Sequence, residues 1–284
     1  VGERLRFGIW DYGYYLLNNG RSETLEFWKK VGFNYCQARI FGTIAGFLSG
    51  GNLHHSVFIN PVYPNFNASG KNLGNSLNLG DPRAIIELGV AKVLPEAERR
   101  MAETAAEYNG IVCIDYEPTG QGGFTPRMET EFLRKYAVTS AEFAEFRKAM
   151  AKWKFASGLH LSGRRGEIYR QWHDFGSMQS SLMVKMFRDS LKRNKPEARL
   201  EITTHDSVGE KDQASFLIGN DNSRMAVYLD AIMPQIYRGY GAAEAKEATL
   251  RVRQWRGRIT QLNRNCRLYP LLLVRHMGAT MRNS

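Results

Sequence analysis

The stretch Ile111-Val112-Cys113-Ile114-Asp115-Tyr116-Glu117-Pro118 decides how this chain is read. Four apolar residues run into acid, aromatic, acid and proline. Asn109-Gly110 precedes them and ends the helix expected over residues 95–108, glycine being common just past a helix end. A short apolar run bounded by turn residues reads as a strand. Strand side chains alternate between faces, so Asp115 and Glu117 project from one side, about 6–7 Å apart. Tyr116 projects from the other. Two carboxylates this close in a partly buried site do not both ionise normally, and the one whose pKa is raised serves as an acid near neutral pH. The structural alternative for Asp115 is a buried carboxylate paired with Arg39 or a backbone group.

Outward from this stretch the chain alternates strands and helices. Strands are expected over residues 5–10, 34–41, 56–62, 111–116, 199–204, 229–236 and 267–274. Helices are expected over 22–30, 95–108 and 242–262, with a long, mainly helical region from Thr139 to Lys195. Thr139 and Glu142 have the spacing of a capping box at its start. The alternation predicts a parallel sheet and, over residues 1–284 as a single domain, a (β/α)8 TIM-type barrel. Only about ten residues follow the seventh strand, whereas an eighth strand with its helix needs roughly 30. Either one strand is hidden in this reading or the barrel is incomplete at the C-terminus. A doubly wound open sheet is the alternative, and no G-x-G-x-x-G follows the first strand to support its nucleotide-binding form.

Barrels of this kind carry their sites at the C-terminal strand ends. The expected strand ends bear Trp10 and Asp11, Arg39, Asp115 and Glu117, His205 and Asp206, and Gln235 with Tyr237. Aromatic, acidic, amide and basic residues gather at one rim. That is the make-up of a sugar site, in which aromatics stack on pyranose faces and polar groups read hydroxyls. For any one of them the plain alternative is a hydrogen-bonded rim residue.

Asp115-Tyr116-Glu117 resembles the end of the D-x-x-D-x-D-x-E strand of family 18 chitinase-like glycoside hydrolases. Met233-Pro234-Gln235-Ile236-Tyr237 resembles their sixth strand. The resemblance implies Glu117 as the general acid protonating the glycosidic oxygen. It implies Asp115 as the partner of a substrate N-acetyl group acting as internal nucleophile, an exception among glycosidases. It implies Tyr237 as a hydrogen-bond donor to that intermediate, with Gln235 beside it. The match covers two strands, and Gly110 and Cys113 stand where the family strand has its first two aspartates. Asp206 is the alternative second carboxylate, a nucleophile or base opposite Glu117 and positioned by His205. Asp11 is a third candidate.

The expected function is therefore hydrolysis of glycosidic bonds in a polysaccharide or oligosaccharide, with no cofactor and no metal. Adjacent His54-His55 would not share a face as metal ligands do, and the G-x-S-x-G elbow of a serine hydrolase is missing. A non-catalytic carbohydrate-binding barrel is the alternative. The net charge of +11 favours an anionic partner such as an acidic or partly deacetylated glycan. A nucleic-acid partner is disfavoured: the densest basic cluster, Lys185 to Lys195, reads as a solvated helix face and no nucleic-acid motif accompanies it. Likewise Tyr169 to Phe175 reads as an amphipathic helix packed on the barrel. No apolar run approaches the ~18 residues of a membrane span. The three cysteines, Cys36, Cys113 and Cys266, lack disulfide or zinc spacing and read as buried thiols. The chain opens on Val1, as a processed form would. A secreted or periplasmic location is expected, with the cytoplasm also compatible. Asn67-Ala68-Ser69 fits a glycosylation acceptor.

Overall fold

The computed structural model describes residues 8–11, 26, 30, 35–38, 54–59, 111–116, 126–152, 162–209, 221–236 and 242–272. Its frame is one parallel sheet of β1 (Gly8–Asp11), β2 (Tyr35–Ala38), β3 (His54–Ile59), β4 (Ile111–Tyr116), β5 (Arg199–His205), β6 (Ala231–Ile236), β7 (Arg267–Leu268) and β8 (Leu271–Leu272). Pairing runs in sequence order from β1 to β7, and β8 pairs with β6. β7 and β8 keep a single register on β6, with Ala231 opposite Arg267 and Gln235 opposite Leu271. Between them Tyr269 N still donates to Ile232 O at 3.0 Å. They form one strand interrupted at Pro270, which has no N–H for the ladder. The sheet thus has seven positions, the number expected. Among the described residues no pairing returns from β7 or β8 to β1.

The described helices are α1 (Pro126–Tyr136), α2 (Ser140–Lys152), α3 (Gly163–Asn194), a 3-10 helix (Asn222–Tyr228) and α4 (Ala242–Leu262). α4 has the bounds expected, and β4 does too. α2 starts where the capping box places it: Glu142 N donates to Thr139 Oγ1 at 3.2 Å, and Thr139 N donates to Glu142 Oε2 at 2.8 Å. α1 and the 3-10 helix go beyond the elements expected. Of the helix expected over 22–30, Glu26 and Lys30 are helical. The helix expected over 95–108 and the triplet at Asn67 lie outside the described residues.

Among the described residues, two cores pack on α3 and a smaller cluster lies on the other face of the sheet. The larger one fills the layer between sheet and helices, joining Ile114, Tyr116, Leu200, Ile202, Ile232 and Ile236 to Met183, Val184 and Phe187 of α3 and Trp255 and Ile259 of α4. These strand positions are even-numbered, so even positions of β4, β5 and β6 face the helices. Odd positions take the other face, where Cys113 and Met233 pack together with Tyr269 and Leu271 alongside. The second core is aromatic. Phe132 of α1, Phe143 and Phe146 of α2 and Tyr169, Trp172 and Phe175 of α3 are all buried in it. Phe132 meets Trp172 edge-on at 5.0 Å, a geometry the ring quadrupoles favour. The segment from Tyr169 to Phe175 is an amphipathic helix face, as expected, but it packs on α1 and α2 rather than on the sheet.

α3 spans both cores. At 32 residues it is about 48 Å long, roughly twice the length of β5. Its C-terminal half covers the sheet, and a short turn then leads into β5, so α3 runs antiparallel to the strands. Asn222 N donates to Ser207 O at 3.1 Å, just past the end of β5, and Asp221 N donates to Ser177 Oγ at 2.7 Å. Ser177 therefore lies level with the C-terminal strand ends. The 14 residues of α3 before it continue for about 20 Å past that level, and carry α1 and α2 with them. The helical unit inserted between β4 and β5 stands beside the rim where sites form.

Lys185, Arg188 and Arg193 are exposed. Lys185 pairs with Asp189, and Lys192 Nζ donates to Pro196 O at 3.0 Å. The basic cluster is a solvated helix face, as expected.

Candidate active site

β4 stays in the sheet because its apolar positions are taken up on both faces: Ile114 and Tyr116 on the helix side, Cys113 on the other, all fully buried. The Cys113 thiol lies 3.6 Å from Thr203 Oγ1, so the odd positions of β4 and β5 meet on the inner face. Register then orders the rim. Asp115 is opposite Thr203, and Tyr116 is opposite Thr204. One step further along, His205 is opposite Gln235, and Gln235 is opposite Leu271. At the far side of the sheet, Trp10 is opposite Gln37 and Asp11 is opposite Ala38.

The structure thus brings Asp115, His205 and Gln235 to the C-terminal ends of the neighbouring strands β4, β5 and β6, and places Trp10 and Asp11 at the same end of β1, three strand positions from β4. Arg39, Glu117 and Tyr237 each follow a strand end within one residue and lie outside the described residues. For Trp10, Asp11 and Asp115 the backbone placement is described. His205 is half-buried and Gln235 is buried.

Asp206 goes the other way. As an even position it faces α4, and it is buried. Arg251 Nε donates to its Oδ2 at 2.9 Å and Oδ1 at 3.1 Å, and Arg251 Nη2 donates to Oδ1 at 2.7 Å. Trp255 Nε1 donates to the same Oδ1 at 2.7 Å. Arg251 Nη2 also reaches the Asp206 carbonyl at 3.2 Å. The guanidinium therefore grips both side chain and main chain at the end of β5. This carboxylate is engaged on the helix side of the sheet, and β5 offers His205 to the inner face.

A second polar cluster backs the same rim. Asp221 Oδ1 accepts from Ser223 N at 3.0 Å, Arg258 Nη2 donates to Asp221 Oδ2 at 3.4 Å, and Asn222 Nδ2 donates to His205 O at 3.3 Å. Ser207 N donates to His205 O at 2.8 Å. Both lone pairs of the His205 carbonyl are thus used. Sequence reasoning passed over Arg251, Trp255 and Asn222. The readable signal was in α4, where Arg251 falls in line with Trp255 and Ile259 at spacings of four, a charge on an apolar stripe.

Cys113 and Cys266 are buried thiols outside any disulfide, as expected; the Cys36 side chain lies outside the described residues. Among the described residues no cluster of His, Cys, Asp or Glu could hold a metal ion. No described helix is long and apolar enough to cross a membrane.

No family model matches the chain, and no curated protein does. Among solved structures it is similar to a β-galactosidase from Bacillus circulans sp. alkalophilus, at 13% identity and a TM-score of 0.54 over 96% of this chain and 51% of that one. It is similar to a cold-adapted β-galactosidase from Rahnella sp. R3, at 12% identity and a TM-score of 0.50 over 84% and 39%. It is also similar to the spore cortex-lytic enzyme SleL of Bacillus megaterium QM B1551, at 10% identity and a TM-score of 0.50 over 93% and 49%. The chain spans about half or less of the length of each of these proteins. At such identities the likeness concerns the fold alone, an α/β fold with a parallel sheet.

Proposed function

We propose that the chain hydrolyses glycosidic bonds in a polysaccharide, with Glu117 as general acid and Asp115 as its electrostatic or substrate-assisting partner. The observation that carries this reading is the register at the rim. Tyr116 is opposite Thr204 and His205 is opposite Gln235. Were the first pairing to continue by one residue, Glu117 would stand beside His205 and in one row with Gln235, about 4.8 Å from strand to strand. Tyr116 is taken up by the helix-side core, and alternation would then turn positions 115 and 117 inward.

An acid in that row protonates the glycosidic oxygen as the bond breaks, and the partner carboxylate stabilises positive charge at the anomeric carbon. With an N-acetyl sugar, the acetamido oxygen would attack that carbon, and Asp115 would orient the amide. Trp10, Asp11, Arg39, His205, Gln235 and Tyr237 would contact the sugar. Closure of the seven-position sheet into a (β/α)8 barrel goes with this reading. The charge of +11 supports an acidic or partly deacetylated glycan, and an extracytoplasmic location suits a polymeric substrate.

The test is Glu117→Gln, assayed on soluble oligosaccharides and chromogenic aryl glycosides. Removal of a general acid should lower kcat on the natural linkage by about 10²–10⁴-fold, with a smaller loss on aryl glycosides, whose leaving group needs less protonation. Turnover equal to that of the unmodified chain would sink the mechanism. Glycan binding without turnover in the unmodified chain would instead establish a carbohydrate-binding barrel.

A further inference from the structure

We propose that Arg251 is a positioning residue for the rim, acting through Asp206 to hold His205 in its row with Gln235; the inference rests on the reading of that rim as the catalytic cleft. Arg251 lies 45 residues from Asp206 in sequence, on the helix side of the sheet, and touches no reacting group. Its guanidinium reaches both carboxylate oxygens of Asp206 at 2.7–3.1 Å and the carbonyl at 3.2 Å. A fork of this shape fixes orientation as well as position. The side chains are 9% and 6% exposed, so water does not loosen the pair. Trp255, one turn further along α4, adds a third donor at 2.7 Å, and Gln254 Oε1 accepts from Arg251 Nη1 at 3.0 Å.

His205 is the residue immediately before Asp206, on the opposite face by alternation. Its carbonyl is held at 2.8 Å by Ser207 N and at 3.3 Å by Asn222 Nδ2. The peptide joining His205 to Asp206 is thus gripped on both sides, and the imidazole inherits that rigidity. Simple support of the fold does not require a fork closing on side chain and main chain together, directly behind the rim residue paired with Gln235.

Two measurements on the full chain test this. Side-chain NMR of the imidazoles follows His205, one of six histidines, assigned by loss of its signal in His205→Gln. In Arg251→Lys the ammonium keeps the charge but cannot reproduce the fork. The His205 signal is expected to shift or broaden while the other imidazole signals hold. Trp255→Phe, which removes one donor and leaves the fork, is expected to do the same more weakly and stands in should Arg251→Lys not fold. An unmoved His205 signal in the variant that folds overturns the proposal. Kinetics on an aryl glycoside complete the test. Arg251→Lys and His205→Gln should each lower kcat about 10-fold with KM changed less than about twofold, and the double variant should be no slower than His205→Gln alone. Additive losses overturn the proposal, since they report general loosening. Absence of turnover in the unmodified chain would overturn the glycosidase reading instead, and the NMR result would then decide the clamp by itself.

Discussion

Burial pushes the Cys266 thiol up to about 12, with the nearby Asp230 and Glu201 carboxylates adding to the effect. The folded chain keeps this proton at a pH where the unfolded chain, at the ordinary value of 9.0, has lost it. The contribution to stability is full below the unfolded pKa and is lost as pH rises through the folded one. Urea midpoints measured between about pH 8 and pH 11 should fall less steeply for Cys266→Ala than for the unmodified chain. Parallel slopes would show that the thiol has no part in the alkaline loss. At the same scale, the shared parity of Asp115 and Glu117 is an expectation from one strand's alternation. The direction of Asp206 was not legible in this way. Either His205 or Asp206 had to face the helices, and nothing within ten residues says which. The choice lies with Arg251 and Trp255, two donors in α4 that hold the carboxylate on their side.

α1 ends at a residue poorly suited to its conformation. Ala137 has φ of 50°, and Val138 N donates to Leu133 O at 3.2 Å, the long bond of a Schellman closure. Glycine is usual at such a position because it has no Cβ to crowd the following carbonyl. Ala137→Gly should raise stability by roughly 0.5–1 kcal/mol, read as a higher denaturant midpoint with an unchanged slope. A lower midpoint would mean that chain entropy outweighs the relieved strain. α2 and α4 were legible as elements because their signals are local, a capping box for one and a long helical pattern for the other. α1 went unread although Met128, Phe132 and Tyr136 recur every four residues. Its apolar face serves the second core, which the single-barrel expectation did not include.

Two cores on one long helix give the molecule a seam. Trp172 is buried among the aromatics of α1, α2 and α3, which share no member with the cluster between the sheet and its helices. Trp172→Ala should cost about 3–5 kcal/mol of local stability. Hydrogen exchange should quicken across α1, α2 and the first half of α3 while the amides of β4, β5 and β6 stay protected. Uniform quickening would show that the cores unfold as one. The order of the seven strand positions and the faces of β5 and β6 were readable from the chain alone, since turn chemistry and periodicity are written within about ten residues. The row of Asp115 with Thr203 and of His205 with Gln235, the ion pair that turns Asp206 away, and the division of α3 between two cores came only with the folded molecule. These depend on contacts such as Arg251 with Asp206, 45 residues apart, and Cys113 with Thr203, 90 apart. Packing settles such contacts all at once, and no local stretch of sequence encodes them.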